Sequence, residues 1–566
     1  MNTTNLDTFD MKDWDIIASP NAIPAEKYAV EEFQRLFYQG TRIQLAIRYQ
    51  AINNTGHVYI GPSPALDVSG VDCKPASLGE EGVQIVVEEN RVVIVGGRPR
   101  GTLYAVYQFL EDTFGVRFLT YDHTHVPEAS RIKIPYDNYY YQPPFSFRWS
   151  FYTENEVHPE LAARLRVNTI TAEARIGGKT GQSLISHSFH RWVPFSKYGA
   201  SHPEYYALID GKRDTRTEGA GPQLCVTNQE VLKITAEAVI HYLDEHPDAQ
   251  NISVSQADTD WYCRCDTCEA LNRQEGTPMG SQLTFVNHVA ELVEKAYPKV
   301  KIGTLAYWYT RKAPKTIRPR PNVQIQLCSI ECCTLHPIDD PNCPKNRAFC
   351  IDMDEWGKIS EDIWIWNYNT NFIYYGLPFP NLRVIGRNVR FFMRNHVKGV
   401  FMQANGQGLA GELSDLRNYL ISRLIWNPQL DDQTVLKEFV NLHYQTAAQP
   451  ILDYIQWFHD HAEQAEIHPA CFPKPAEVGL SPEISRKILD YFNQALQLAD
   501  NEMIRARVEK ASICAYRALI ETGGPVEEAE RKAIIARYIL LCQTYNMTHS
   551  AENIPFDNTK VVWKEK

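Results

Sequence analysis

The 566-residue sequence lacks long apolar runs and concentrated basic charge. No stretch reaches the ~18 uninterrupted apolar residues of a transmembrane helix, and the first residues lack the basic and apolar regions of a secretory signal. The formal net charge of −11 disfavours a nucleic-acid partner, because phosphate binding uses clustered Lys and Arg. We therefore expect no nucleic-acid or membrane partner, and a protein that is cytoplasmic, or periplasmic or secreted if an export signal was trimmed. The oligomeric state stays open.

A disulfide framework is also missing. Thirteen cysteines form an odd, unevenly spaced set, which fits a reducing compartment. Three of them lie close together in the sequence, namely Cys263, Cys265 and Cys268. A structural zinc ion would need a fourth ligand. The candidates for it are Cys332, Cys333 and Cys343. The alternative is a group of buried thiols without metal. A redox centre is disfavoured, because the small βαβ context of a thioredoxin-like Cys-x-x-Cys is absent.

Aromatic residues, in contrast, are abundant. They make up 11% of the sequence, with 11 Trp and 30 Tyr. Such rings are typical of sugar-binding clefts, where an apolar face packs on the sugar ring. The length exceeds what one hydrophobic core usually serves and suggests about two to four domains.

Hydrophobic periodicity divides the chain into three regions. Residues 1–135 predict a small α/β domain. Within it the pattern predicts a helix over 24–37, a strand over 57–63, a hairpin over 82–97 and a helix over 98–115.

Residues 136–430 predict a TIM-type (β/α)8 barrel, because short apolar runs alternate with helical stretches. The eight predicted strands span residues 145–151, 167–173, 205–209, 251–256, 300–307, 323–331, 362–368 and 399–405. Residues 431–566 show helical periodicity only and predict a C-terminal helical domain. The predicted fold class is therefore α/β.

Polar side chains follow several predicted strands at the barrel face that carries catalytic groups in TIM barrels. They are Asp258 and Asp260 after strand four, Glu331 at the end of strand six, Trp366 and Tyr368 on strand seven, Gln403 and Asn405 on strand eight, and Glu412 after it. A glycosidase needs one carboxyl group to protonate the leaving oxygen, a second group to stabilise the cationic sugar, and aromatic rings beneath it. Each carboxyl group alone is also explained as a solvated loop or helix cap. Their convergence favours the glycosidase.

The sequence resembles a bacterial family called domain of unknown function 4838, which overlaps glycoside hydrolase family 163. The resemblance covers most of the chain and rests on GGRPRGTLYAVYQFLEDTFGVRFL (96–119), HPEYYALIDGKR (202–213), QLCVTN (223–228), SVSQAD (253–258), LCSIECC (327–333), HPIDDPNCP (336–344) and IWNYNTNF (365–372). It implies an N-terminal domain like those preceding family 20 and family 67 glycosidases, then a (β/α)8 barrel, then helices.

Family 163 includes endo-β-N-acetylglucosaminidases, so the resemblance implies cleavage of the chitobiose core of complex N-glycans, with no cofactor and no metal in the site. Related enzymes let the 2-acetamido carbonyl attack C1 while a protein acid protonates the leaving oxygen. We expect Asp258 to orient the acetamido group and Glu331 to transfer the proton. Glu412 is the competing acid or a partner of sugar hydroxyls. Asp260 is separated from Asp258 by one residue, whereas family 20 enzymes carry an adjacent acidic pair, which leaves the assignment of the acid open.

Further side chains complete the expected sugar site. Trp366 and Tyr368 would form the floor of the subsite, Asn405 would meet sugar hydroxyls, and His187 would line the rim. For the aromatic pair the alternative is core packing, and for His187 it is a structural hydrogen bond.

Two other functions stay open. One is an exo-acting glycosidase on another sugar, either an N-acetylhexosamine or a uronic acid. A uronic acid would require cationic side chains at the barrel mouth, for which Arg148 and Arg175 are candidates. The other is a non-catalytic barrel that binds glycans, because a fold alone does not fix a function.

Overall fold

The computed structural model describes residues 4–52, 56–88, 90–216, 221–524 and 526–564, with side chains described from residue 11 onward. Glu89, in the turn of the predicted hairpin, lies outside these ranges. No helix among the described residues has both the length and the apolar character needed to cross a membrane.

The N-terminal domain is built on a six-stranded mixed sheet. In sheet order its strands are Asn138–Tyr141, Val83–Glu88, Arg91–Gly96, His57–Ile60, Asp15–Ile17 and Ala46–Arg48. The predicted hairpin is confirmed by antiparallel pairing of the second and third of these strands. Helices Pro24–Thr41 and Gly101–Phe114 are also confirmed, and Gly115 ends the second of them with a left-handed φ of 69°. Two short antiparallel pairs complete the domain, Thr4–Asp7 with Arg131–Ile134 and Arg117–Thr120 with His123–His125.

The central region contains a curled six-stranded parallel sheet. In sheet order its strands are Phe147–Phe151, Gly399–Gln403, Ile363–Tyr368, Val323–Cys328, Lys301–Ala306 and Asn251–Ser253. Phe147–Phe151 and Gly399–Gln403, which are the first and last of these six strands in chain order, pair in parallel. Among the described residues the sheet is a curled half-barrel of six strands, where a closed barrel of eight was predicted. Its principal helices are Gln229–Glu245, Asp266–Glu275, Met279–Glu294, Pro344–Gly357, Leu382–Arg394 and Ser414–Trp426. Six of the eight predicted strands are thereby confirmed.

The predicted strand over 167–173 is wrong. Asn168 takes the place of a strand beside Phe147–Phe151 by hydrogen bonding through its side chain: its Oδ1 accepts from the Arg148 amide at 3.0 Å. Its own backbone carbonyl accepts from Thr180 at 2.8 Å. The Asn168 amide reaches the Arg148 carbonyl only at 3.4 Å, so the side chain makes the shorter contact and no regular ladder forms, although the residue types favour a strand.

The predicted strand over 205–209 is also wrong. Leu208–Ile209 pairs antiparallel with Lys212–Arg213 in a separate two-stranded hairpin. The turn is Asp210-Gly211, and both residues have positive φ, 48° and 77°. Asp-Gly with two left-handed residues is the composition of a tight hairpin turn, so local turn chemistry removes this segment from the parallel sheet.

Buried ion pairs join the N-terminal domain to the parallel sheet. Glu81 contacts Arg100 at 2.8 Å and Arg148 at 2.6 Å, and it accepts a hydrogen bond from Asn168 at 2.7 Å. Arg148 is completely buried and also lies over the Trp426 ring. It is therefore not available to a uronic acid at the barrel mouth, which corrects that expectation.

Among its described residues, the C-terminal region contains five α-helices, three short 3-10 turns and a short hairpin. The helices span Asp432–Tyr444, Ala448–Gln464, Pro482–Leu498, Glu502–Thr522 and Glu528–Thr544, which confirms the helical periodicity of this region. The hairpin pairs His549–Ala551 with Ile554–Pro555. It returns to the sheet, because the Glu552 amide donates to the Phe372 carbonyl at 2.8 Å.

Candidate functional site

Asp258 lies at the carboxyl end of the parallel sheet with its side chain about half exposed (52%). Its Oδ1 accepts a hydrogen bond from the Tyr307 hydroxyl at 3.0 Å. Tyr307 directly follows strand Lys301–Ala306, so two neighbouring strands bring this pair together. Burial, with the charge of Asp258, raises the pKa of Tyr307, which keeps the phenol protonated as a donor.

His187 approaches the same carboxylate from a loop. Its Nδ1 lies 2.7 Å from the Gln256 carbonyl oxygen, and its Nε2 lies 3.5 Å from Oδ1 of Asp258. A carbonyl oxygen only accepts, so Nδ1 carries the proton and Nε2 faces the carboxylate. His187 therefore has the structural hydrogen bond of the alternative interpretation and also lies beside Asp258; its role at the rim of a sugar site stays a prediction.

Gln223 fixes the backbone on both sides of Asp258. Its Nε2 donates to the carbonyl oxygens of Ala257 and Thr259, each at 2.9 Å, and its Oε1 accepts from the Ala257 amide at 3.0 Å. The Gln223 side chain is buried. Asp258 therefore projects from a clamped peptide segment, although its own side chain faces solvent.

Glu552 adds a second carboxyl group to the site. It is half-buried, and its Oε1 accepts a hydrogen bond from Nε2 of Gln403 at 2.9 Å. Oε1 of Gln403 in turn accepts from the Trp366 indole N–H at 2.6 Å. Because an indole nitrogen only donates, this contact fixes the orientation of the Gln403 amide and directs its N–H toward Glu552.

The two carboxyl groups are electrostatically coupled. Burial raises the pKa of Glu552, and the negative charge of Asp258 raises it further, while the hydrogen bond from Gln403 opposes the shift. Two neighbouring carboxyl groups, of which one has a raised pKa, are the arrangement that supplies an acid and a base in one site.

Trp366 and Tyr368 lie within this arrangement. Their rings stack with centroids 6.3 Å apart, and Trp366 also packs edge to face on Phe401 at 4.8 Å. Tyr368 is buried, and burial raises its pKa well above the ordinary value, with the charge of Asp258 contributing. The pair is thus close to the acidic residues, and half-buried Trp366 holds Gln403 through its indole edge.

Exposed aromatic rings stand on the loops after the fourth and fifth predicted strands. Trp308 is 39% exposed, stacks on Tyr307 with centroids 4.8 Å apart, and has a left-handed φ of 49°. A bulky residue in that region of φ is strained, and such strain concentrates at functional sites. Trp261 is 44% exposed and lies under the Arg216 guanidinium. Tyr307 ends the predicted strand 300–307 and Trp308 follows it. The rule that functional side chains lie at the carboxyl ends of strands would therefore have identified both residues.

Glu331 occupies a different environment from the one expected. Its Oε2 accepts from Nη1 of Arg311 at 2.6 Å, and Nε of Arg311 contacts Asp352 at 2.6 Å. The Glu331 side chain is 48% exposed. Among the described residues, Glu331 and Asp258 share no hydrogen bond or ion pair.

Glu412 is turned into the core, which argues against the predicted contact with a sugar hydroxyl. Its Oε2 lies 2.5 Å from Arg417, and only 4% of its side chain is exposed. Burial raises the pKa of Glu412, while Arg417 lowers it. A carboxyl group enclosed in this way reaches solvent only if the ion pair breaks.

Asn405 is placed away from its expected role, whereas Asp260 stays exposed on the loop that carries Asp258. Asn405 is buried and holds its own loop, because its Nδ2 donates to the Ala410 carbonyl at 3.1 Å. Asp260 is exposed beside the stacked rings of Tyr262 and Tyr309, and its charge adds to burial and Tyr262 in raising the pKa of Tyr309.

The cysteines near Asp258 form a group whose fourth member differs from the prediction. Cys225 joins the three predicted thiols, and all four sulfurs lie within 4.8 Å of one another. Cys333 and Cys343 belong instead to a second group with His336 and His468. Cys332 is buried near Arg311, outside both groups.

Comparison with known proteins identifies the family. The profile described as "Domain of unknown function (DUF4838)" matches residues 118–456, which is more than half of the chain. The chain belongs to this family. The matched region contains Asp258 and Glu331 and ends before Glu552. A search of curated protein sequences finds no match.

Two solved structures share the fold over nearly the whole chain. The first is described as a novel family GH115 4-O-methyl-α-glucuronidase with specificity for decorated arabinogalactans. It has 12% identity and a TM-score of 0.56, over 98% of this chain and 80% of that chain. The second is described as a GH138 enzyme targeting pectin rhamnogalacturonan II. It has 9% identity and a TM-score of 0.52, over 97% of this chain and 96% of that chain. The fold is thus one that glycoside hydrolases use.

Proposed function

We propose that this protein is a glycoside hydrolase whose catalytic carboxyl groups are Asp258 and Glu552. The observation that carries the proposal is the placement of both groups at the carboxyl end of the parallel sheet, Asp258 beside Tyr307 and Glu552 beside Gln403. Glu552, with its raised pKa, donates the proton to the leaving oxygen. Asp258, which accepts a hydrogen bond from the Tyr307 hydroxyl, acts as the anionic partner of Glu552.

Glu552 fits the acid better than Glu331 does. A general acid has to carry a proton, which burial and a neighbouring negative charge both favour. Glu331 instead receives a guanidinium at 2.6 Å, and such a contact uses the carboxylate as an anion. The predicted division of roles is therefore kept for Asp258 and revised for the acid.

The proposed substrate is a β-linked N-acetylglucosamine, as in the chitobiose core of complex N-glycans. Half of the Asp258 side chain is exposed, so it has a free face to accept a substrate amide N–H. The 2-acetamido carbonyl would then attack C1 from within the substrate, and Glu552 would return as the base that activates water. This route retains the anomeric configuration.

An exo-acting enzyme on a uronic acid is the second candidate, since one structural neighbour is described as a glucuronidase. Two observations weigh against the cationic residues suggested for it. Arg148 is buried, and Arg175 is paired with Glu160 and Glu173 at 2.9 and 2.8 Å.

Hydrolysis of a biantennary complex N-glycan tests the proposal. We expect Asp258→Asn and Glu552→Gln each to lower the rate by about 10²–10⁴-fold, with circular dichroism unchanged. Glu331→Gln is the matched comparison and should keep most of the activity. Proton NMR of the first-formed product should show the β-anomer.

The same series separates the other functions. Cleavage of a glucuronide but not of the N-glycan would support the exo-acting enzyme. Binding of both glycans without cleavage would support a non-catalytic protein that binds glycans. Full activity of Glu552→Gln together with loss in Glu331→Gln would return the acid to Glu331 and refute the revised assignment.

A further inference from the structure

Two groups of soft metal ligands lie among the described residues, and neither takes part in the proposed hydrolysis. The first consists of Cys225, Cys263, Cys265 and Cys268, and the second of Cys333, His336, Cys343 and His468. In each group the four ligand atoms lie within 4.8 Å of one another. We propose that each group binds one structural zinc ion; the four-cysteine group is called the thiolate site and the other the mixed site.

The thiolate site has the dimensions of a tetrahedral zinc centre. Zn–S bonds of about 2.3 Å in a tetrahedron separate neighbouring sulfurs by about 3.8 Å. The sulfurs of Cys225 and Cys265 are 3.7 Å apart. A disulfide would bring two sulfurs to about 2.05 Å, and all thirteen cysteines are free. Zinc binding releases the thiol protons to solvent and leaves four thiolate ligands.

Neighbouring groups are placed to support thiolate ligands. The Leu208 amide donates to the sulfur of Cys263 at 3.3 Å. The Thr227 hydroxyl lies 3.2 Å from the sulfur of Cys268. Such outer contacts orient metal ligands and are a regular part of zinc sites.

The thiolate site has a small hydrophobic cluster of its own. Its buried cluster is separate from the main core and consists of Ala207, Cys225, Cys263 and Cys268. Three of these four residues are the proposed ligands themselves. So small a hydrophobic cluster contributes little free energy of folding to this loop. A structural metal ion would supply the additional stabilisation.

The mixed site is supported by separate contacts. The sulfur of Cys333 lies 3.2 Å from Nδ1 of His336, and that of Cys343 lies 3.3 Å from Nδ1 of His468. Zinc bonds of about 2.3 Å to sulfur and 2.0–2.1 Å to nitrogen predict roughly 3.6 Å for such a pair. The two imidazole rings stack with centroids 4.2 Å apart, and one nitrogen of each ring lies within 4.8 Å of both sulfurs.

Each zinc ion would brace one wall of the proposed active site. Gln223, which clamps the peptides around Asp258, lies two residues before Cys225. The mixed site joins the loop after Val323–Cys328 to the segment that follows Ala448–Gln464. This positioning role rests on the proposed function, whereas the binding of zinc does not.

Zinc content measures the proposal directly. The protein is produced in zinc-supplemented medium without a polyhistidine tag, dialysed against metal-free buffer, and analysed by inductively coupled plasma mass spectrometry. We expect two zinc ions per chain. Cys268→Ser and Cys343→Ser should each retain one. Cys73→Ser and Cys350→Ser, at cysteines outside both groups, should retain two.

A second measurement keeps the proposal testable if a variant does not fold. Titration of the wild-type protein with a mercurial thiol reagent, followed with a metallochromic indicator, should release two zinc ions per chain. Replacement by Co²⁺ should give thiolate-to-cobalt charge-transfer and tetrahedral d–d bands. Wild-type protein without zinc, or a disulfide within a group, would overturn the proposal. A variant that keeps both ions would overturn the site it removes. None of these outcomes depends on hydrolytic activity.

Discussion

Replacing Gln223 by Ala should loosen the segment that carries Asp258 without touching the carboxylate. The substitution removes three hydrogen bonds, at 2.9, 2.9 and 3.0 Å, to the peptides of Ala257 and Thr259. It leaves the buried amide of Ala257 without this partner, at a cost of about 1–3 kcal/mol, whereas the Ala257 carbonyl keeps its hydrogen bond from the Thr259 amide at 2.8 Å. Amide exchange in this segment should therefore accelerate at least ~5-fold.

Hydrogen–deuterium exchange measured by mass spectrometry over residues 254–262 is the assay. A displacement of Asp258 by ~1 Å should also lower kcat by about 100-fold. Gln229→Ala is the matched control, because that side chain is exposed and donates one long hydrogen bond, at 3.4 Å, to the Thr227 carbonyl within the described part of the chain. Unchanged exchange together with an unchanged kcat in Gln223→Ala would refute the positioning argument.

Three further substitutions test separate parts of the structure. Gln403→Leu removes the hydrogen bond that lowers the pKa of Glu552; the proton is then retained to higher pH, and the alkaline limb of the pH–rate profile should move upward. Trp308→Ala should raise KM more than it lowers kcat, because it removes an exposed ring beside Tyr307. Glu81→Gln leaves Arg148 uncompensated in the core and should lower the free energy of unfolding by about 3–5 kcal/mol in chemical denaturation.

The ion pairs of Glu81 also set a direction for acid stability. Burial alone would raise the pKa of Glu81, but Arg148 and Arg100 outweigh it and lower the pKa. A carboxyl group with a lowered folded-state pKa stabilises the fold above its unfolded pKa, and that contribution is lost as the pH falls through the folded-state value. Glu81→Gln should therefore flatten the acid limb of the stability curve.

Local sequence patterns were sufficient for the parts of the fold that local forces decide. The hairpin over 82–97 and the helix after it follow from alternating apolar residues and a terminal glycine. The segment 167–173 has strand-forming residues as well, yet the Asn168 side chain takes over its pairing. A scale of strand propensities does not predict this outcome, because the outcome depends on which residues lie across the sheet.

The candidate site was predictable only where it follows a strand. Asp258 was found because it comes after an apolar run, and Glu412 was named by the same logic, although Arg417 draws it into the core. Glu552 lies on a hairpin beyond five helices and carries no periodic signal. It reaches Gln403 by tertiary folding alone. The fourth ligand of the thiolate site, Cys225, was missed for the same reason.

A crystal structure of the protein with GlcNAc-thiazoline bound would test the central claim most directly. The ring nitrogen and sulfur of this compound stand in for the oxazolinium formed from the acetamido group. The account predicts Asp258 within hydrogen-bond distance of the ring nitrogen and Glu552 on the side of the leaving oxygen at C1. A sugar bound away from Asp258, or one that meets Glu331 while Glu552 stays remote, would contradict it.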